Sequence, residues 1–268
     1  MPGCGHRRDE AVTGMHRAIG LARSLVVYHA IPWRQRRLRR LYSGFVSPGD
    51  LVFDVGAHVG NRARAFAALG CRVVALEPQP DVAGILRRLF ARAPLVTIVE
   101  AAVTERVGRI ALAVSDRTPT VTTMVERWRE ARAGEPGFEG VRWNRQIDVE
   151  ATTLDCLIAR FGVPAFVKID VEGAESAVLA GLSSAVPALS FEYLPRAVDE
   201  VERVVKRLGA LGTYRFNWSP GETYRLASDD WCDGHALVAA LRLPAHQRQS
   251  GDVYASLAIP ALHVRSPK

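Results

Sequence analysis

The chain has 268 residues, 48% hydrophobic and 24% charged. That balance supplies a full core and excludes wholesale disorder. The net charge is +7 and only three of the 35 basic residues are lysine (Lys168, Lys206, Lys268); an arginine excess of this kind is either spread over a solvated surface or directed at an anionic partner.

Residues 1–47 form an N-terminal extension, helical from about residue 15, with Pro32 breaking or kinking the pattern. Its second half, W-R-Q-R-R-L-R-R-L-Y, carries Arg34, Arg36, Arg37, Arg39 and Arg40. Such a run is a solvated helix across a core, or a clamp for phosphate or an anionic membrane face. Ser47-Pro48-Gly49 is a turn, and from there strand and helix alternate. Strands are expected at 51–55, 72–77, 96–103 and 109–114, with helices at 61–69, closed by Gly70, and at 81–92, capped by Asp81. Residues 115–146 break the rhythm as an insertion or lid, with a helix at 126–132 and a Gly/Pro loop at 134–140. Further strands follow at 147–151, 166–170, 188–193, 214–218, 224–226 and 253–257, and further helices at 153–161, 174–182, 198–211 and 230–241. The pattern predicts an α/β domain over 48–258, an open and mostly parallel sheet with helices on both faces, and a tail at 259–268.

Cys4, Cys71, Cys156 and Cys232 lie far apart, which suggests neither a disulfide framework nor a zinc site; the last three are expected as buried free thiols. No run approaches the roughly 20 apolar residues that span a bilayer, and the first residues lack the series of a secretory signal. The expected compartment is the cytoplasm.

The strongest local signal is L-V-F-D-V-G-A-H-V-G-N, residues 51–61. A buried strand ends in Asp54, a glycine-containing loop follows, and a helix starts at Asn61. Open parallel sheets bind ligands at the carboxyl ends of their central strands. Gly56 and Gly60 let the loop turn sharply and approach a ligand. The spacing is Gly-x-x-x-Gly with His58 at the middle, not the dinucleotide fingerprint. An acid at the strand end would repel a pyrophosphate and accept from an ammonium, so the preferred ligand carries an α-amino acid, as S-adenosylmethionine does. Glu77 ends the second strand, where a carboxylate can accept ribose hydroxyls.

Four blocks in order, D-V-G-A-H-V-G-N, A-L-E-P, T-T-L-D and V-K-I-D-V-E-G-A-E, resemble the FkbM-type methyltransferase family over about 48–192. The resemblance implies a Rossmann-like class I methyltransferase sheet of seven strands, the last antiparallel, and S-adenosyl-L-methionine as cofactor. It places Asp54, Gly56, Ala57, His58, Gly60 and Asn61 at the methionine end. Glu77 and Pro78 fall at the ribose, and Ala101 and Ala102 at the adenine edge through backbone groups. The family's usual loop has Asn where this chain has His58.

Lys168, Asp170 and Glu172 are the candidate catalytic set. Period two puts Lys168 and Asp170 on one face of their strand. A lysine among Phe166, Val167 and Ile169 needs a partner, Asp170 or Glu192. Asp170 and Glu172 are the expected base and orienting group for a hydroxyl, with His58 as an alternative base. Glu192, Tyr193 and Trp143 are expected toward the acceptor, where aromatic rings could stack on a sugar. No metal is expected. The resemblance suggests O-methylation of a sugar, glycolipid, polysaccharide or secondary metabolite. The alternatives are an RNA methyltransferase, prompted by the charge but lacking any appended RNA-binding motif, and a non-catalytic binding module.

Overall fold

A computed structural model describes residues 32–115, 122–123, 125, 141–195, 197–247 and 249–259. The expected helix before Pro32, the helix at 126–132, the loop at 134–140 and most of the tail lie outside these residues.

In chain order the elements are α1 (Pro32–Tyr42), β1 (Leu51–Val55), α2 (Asn61–Ala68), β2 (Arg72–Leu76), α3 (Pro80–Leu89), β3 (Val96–Val99), β4 (Ala102–Val103), β5 (Gly108–Val114) and β6 (Arg145–Thr152). Then come α4 (Leu154–Phe161), β7 (Phe166–Ile169), α5 (Glu175–Ala180), β8 (Ala188–Tyr193), α6 (Val198–Leu211), β9 (Arg215–Pro220), α7 (Gly234–Leu241) and β10 (Gly251–Ser256). The main sheet has seven strands in the order β3-β2-β1-β7-β8-β10-β9. Its pairings are parallel except those of β10, which runs antiparallel to both β8 and β9. This is the class I methyltransferase arrangement, with its reversed strand last in the chain.

Three expectations are corrected. The strand expected at 96–103 splits: β3 joins the main sheet, while β4 pairs with β6 in a separate three-stranded sheet, β4-β6-β5. The strand expected at 224–226 is absent; Tyr224 sits there at φ 53° in irregular backbone. Helix α3 opens with Gln79 at the cap position and Pro80 in the first turn, and Asp81 lies inside it, accepting from the Val82 amide at 3.0 Å. Proline suits that position because its missing N–H would have been unpaired anyway.

Alternation along the strands sorts side chains into two cores. Phe53, Val55, Val167 and Ile169 face α4 to α7, with Leu157, Val178 and Val204. Val52, Phe166, Ala188 and Tyr254 face α1 to α3, with Leu38, Tyr42, Phe66 and Leu86. By the same alternation Asp54, Lys168, Glu192 and Asp252 fall on the α1/α2 face, at the end of the sheet where the parallel strands finish. Cys71 is buried and Cys232 partly so, whereas Cys156 is exposed, contrary to expectation, on the outer side of α4. Among the described residues no helix is long and apolar enough to cross a membrane.

Candidate active site

A cavity of about 310 Å³ opens at the carboxyl ends of β1, β2 and β7. It sits where the chain order of the sheet reverses direction, between β1 and β7, the usual ligand crevice of such sheets. Asp54, Gly56, Ala57, His58, Asn61, Glu77, Pro78, Ala101, Ala102, Asp170, Glu172 and Glu192 all line it.

Four predicted residues do not. Gly60 turns at φ 77°, and a Cβ there would lie 2.5 Å from the Phe90 ring, so its role is the packing of the loop against α3. Tyr193 is buried in the sheet beside Gly251. Trp143 lies away from the cavity, as does Lys168, which is fully buried beneath its floor. Among the described residues no Phe, Tyr or Trp ring lines the cavity, and most of the 115–146 segment, Trp128 included, lies outside them. Gly56 does line it, but its glycine requirement comes from the protein. A Cβ would lie 1.8 Å from the Asp170 carbonyl oxygen at a φ of 80°, and that close approach holds β1 and β7 together at the site.

Under the cavity lies a charge network. Lys168 Nζ donates to Asp252 Oδ1 at 2.9 Å and to the Ile169 carbonyl at 2.9 Å, with Asp170 Oδ2 at 3.6 Å. Asp252 is therefore the closer partner, where Asp170 or Glu192 was expected. Arg62, in the first turn of α2, closes the network with one nitrogen 3.3 Å from Asp170 and the other 3.3 Å from Asp252. Neither Arg62 nor Asp252 was among the sequence candidates. The expected strand began at 253, which left Asp252 in a loop. Because β10 is antiparallel, its first residues arrive at the carboxyl edge, with Asp252 in register with Glu192. Arg62 had a signal, its place in the helix turn that follows the loop.

Burial opposes the charge on Lys168, yet Asp170 and Asp252 hold its pKa above the ordinary lysine value. Burial likewise opposes the charge on Asp252, and Lys168 and Arg62 hold that carboxyl below its ordinary value. The cavity acids go the other way. Burial pushes Asp54 up to about 6 although Arg62 and Lys168 pull it down. Burial pushes Glu77 up to about 7, opposed by amide donors from Gln79 and His58. Glu175, beneath the turn after β7, rises to about 7 through burial and its acidic neighbour Glu200. Glu192 rises well above the usual range through burial, then through repulsion from Asp170 and Glu175.

The sign for stability follows. Asp54, Glu77 and Glu175 bind protons in the folded chain at pH values where the unfolded chain has released them. Their contribution is complete below the unfolded values near 4 and is lost as pH rises through about 6 to 7. Asp252 contributes in the opposite sense, and its loss is confined to pH below its unfolded value. The ligand-free protein is expected to melt several degrees lower at pH 8 than at pH 5, as thermal unfolding across that range will show; a flat or rising profile would refute this account of the acids.

Asp170, Glu172 and Glu192 bring carboxylate oxygens within 4.8 Å of one another. That spacing can accommodate a shared proton or a cation. Glu172 is held there at φ 54°, with its carbonyl accepting from Thr123 Oγ1 at 2.8 Å.

The Methyltransferase FkbM domain model matches residues 54–210. The chain belongs to the FkbM methyltransferase domain family. The match runs from the acid that ends β1 nearly to the end of α6, so this FkbM domain holds every predicted cofactor residue, while Asp252 lies beyond it. No curated protein matches the chain. Solved structures similar to it include a precorrin-6y C5,15-methyltransferase from Geobacter metallireducens, at 15% identity and a TM-score of 0.41 over 84% of this chain and 87% of that one. An O-methyltransferase from Bacillus cereus in complex with SAH is similar at 13% identity and 0.42, over 92% and 91%. An rRNA methylase from Streptococcus thermophilus is similar at 10% and 0.39, over 82% and 93%.

Proposed function

We propose that the chain is an S-adenosylmethionine-dependent O-methyltransferase that acts on a hydroxyl of a polyhydroxylated acceptor: a sugar, glycolipid, polysaccharide or secondary metabolite. The observation that carries the cofactor assignment is Asp54 Oδ2. It is buried, it has no hydrogen-bond partner among the described residues, and its residue lines the cavity. An unpaired buried carboxylate oxygen is costly, and the ammonium of a methionine moiety would satisfy it. Glu77 fits the ribose. Its two oxygens accept from the His58 and Gln79 amides at 3.0 and 2.9 Å, and a carboxylate has about four acceptor positions, so acceptor capacity remains for a ribose hydroxyl. The Ala101–Ala102 backbone offers the adenine edge.

When bound, the cofactor supplies an electrophilic methyl group on a sulfonium. The chain must hold the acceptor in line, exclude water and take a proton from its hydroxyl. Asp170 is pinned by ion pairs to Arg62 and Lys168, at 3.3 and 3.6 Å. Glu192 has no ion-pair partner among the described residues and faces other acids, so its carboxylate is the better proton acceptor. We therefore assign the base to Glu192, with Asp170 and Glu172 orienting the hydroxyl. The polar wall formed by Thr122, Glu222 and Ser250 suits a hydroxyl-rich acceptor.

Thermal-shift titration with S-adenosylmethionine, S-adenosylhomocysteine, NAD and NADP tests the cofactor. A shift with the adenosyl compounds alone is expected, reaching several degrees near a hundred times Kd. Asp54→Asn should weaken S-adenosylmethionine at least tenfold by calorimetry while the variant still unfolds cooperatively. Unchanged affinity in a folded variant would remove Asp54 from the site.

A further inference from the structure

Helix α1 turns one face away from the protein. Trp33 is 61% exposed, and Arg36, Arg37 and Arg40 are exposed beside it. At 3.6 residues per turn these four positions fall within roughly 100° of the helix circumference, while Leu38, Leu41 and Tyr42 fill the buried side. The helix contains no acidic residue. Among the described residues Arg36, Arg37 and Arg40 make no ion pair, although arginine elsewhere is matched, as in Arg87–Glu100 at 2.8 Å and Arg109–Glu150 at 2.6 Å. An exposed indole next to three unmatched guanidinium groups is a specific combination. Tryptophan gains at the boundary between water and lipid, where its ring is shielded and its N–H stays wet. Guanidinium groups pair with phosphate oxygens in forked geometry.

The same helix is fastened to the rim of the cavity. Arg34 pairs with Glu222 at 2.5 Å, and Gln35 Nε2 donates to the Asn61 carbonyl at 3.0 Å. Glu222 and Asn61 both line the cavity. The unmatched face and the cavity mouth are thus parts of one packed unit.

We propose that this face of α1 docks the chain on an anionic lipid bilayer, with Trp33 in the interface and Arg36, Arg37 and Arg40 on lipid phosphates. Docking brings the chain, and with it the cavity fastened to this helix, to the lipid surface. The docking stands or falls independently of the methyl-transfer reading, because its residues lie outside the cavity.

The test is sedimentation of the full chain with vesicles of phosphatidylcholine alone and of phosphatidylcholine mixed equally with phosphatidylglycerol. Binding only to the anionic vesicles is expected. It should weaken with salt and fall roughly a hundredfold in the Arg36→Gln/Arg37→Gln/Arg40→Gln triple variant, at about a fivefold loss per arginine near an anionic surface. A Trp33→Phe variant should lose the blue shift of tryptophan emission that vesicles produce in the parent. Far-UV circular dichroism and the melting temperature of the ligand-free variants should match those of the parent, which shows that they fold. Absence of binding to anionic vesicles, or equal binding by the folded triple variant, overturns the proposal. So does arginine-dependent binding of an RNA duplex without vesicle binding, which would make the face a nucleic-acid surface.

Discussion

Lys168→Met is expected to lower the melting temperature by about 10 °C. The substitution keeps length and apolar stem but removes the charge from a fully buried position. It leaves Asp252 and Asp170 sharing Arg62 alone, at 3.3 Å from each. Removing one member of a buried ion pair costs about 3–5 kcal/mol, because the remaining charge stays buried without compensation. A domain of this length loses about 2–4 °C per kcal/mol. The pair should show strong coupling: Lys168→Met with Asp252→Asn should be less damaging than the sum of the single changes. A melting temperature within a degree or two of the parent would mean that the network carries no net stability.

Glu192→Gln is expected to lower turnover by about 10²–10⁴, the usual contribution of a positioned general base, while the affinity for S-adenosylmethionine changes little. The side chain keeps its shape, and its place in β8 is fixed by pairing with Asp252 across the antiparallel register. The rising limb of the parent's pH–rate profile should have a midpoint above the ordinary carboxylate range, and the variant should lack that limb. Carboxyl NMR titration of the cofactor-free protein reads the same group without an acceptor. If Glu192→Gln keeps the parental rate and Asp170→Asn loses it, the base is Asp170. In that case Arg62 and Lys168 hold the base in position.

Much of this was legible in the sequence, for identifiable reasons. The 51–61 segment combines a five-residue apolar strand, an acid at its end and a loop of special φ, and each property is local. The carboxyl-end acids of three strands, Asp54, Glu77 and Asp170, converge because parallel topology brings strand ends together, and alternation of strand and helix announces that topology. The partner of Lys168 was not local. Asp252 lies 84 residues away and reaches Lys168 only because the final strand enters the sheet reversed, beside β8. The split of the strand expected at 96–103 was equally hidden: 96–99 and 102–103 are both extended and apolar, and only their different pairing partners separate them. Tyr193, at the end of its strand, and Trp143, in the 115–146 segment, are expected toward an acceptor by position, and neither lines the cavity.

The reversed strand also sets an order of assembly. Among the described residues β9 pairs in the main sheet with β10 alone, and β10 follows every other strand in chain order. During synthesis the first five strands can therefore pair and bury their faces while β9 has no place in the sheet. Lys168, on β7 between β1 and β8, meanwhile lacks Asp252. The contact between Arg62 and Asp252 spans 190 residues, so its loop closure comes late and carries the largest entropy cost in the network. A chain stalled before residue 251 would hold Asp54 and Glu77 at the ends of β1 and β2 but not the charge balance beneath them. Closure of the charge network in this way waits on the arrival of β10, and the unpaired edge of β8 is open to aggregation until then.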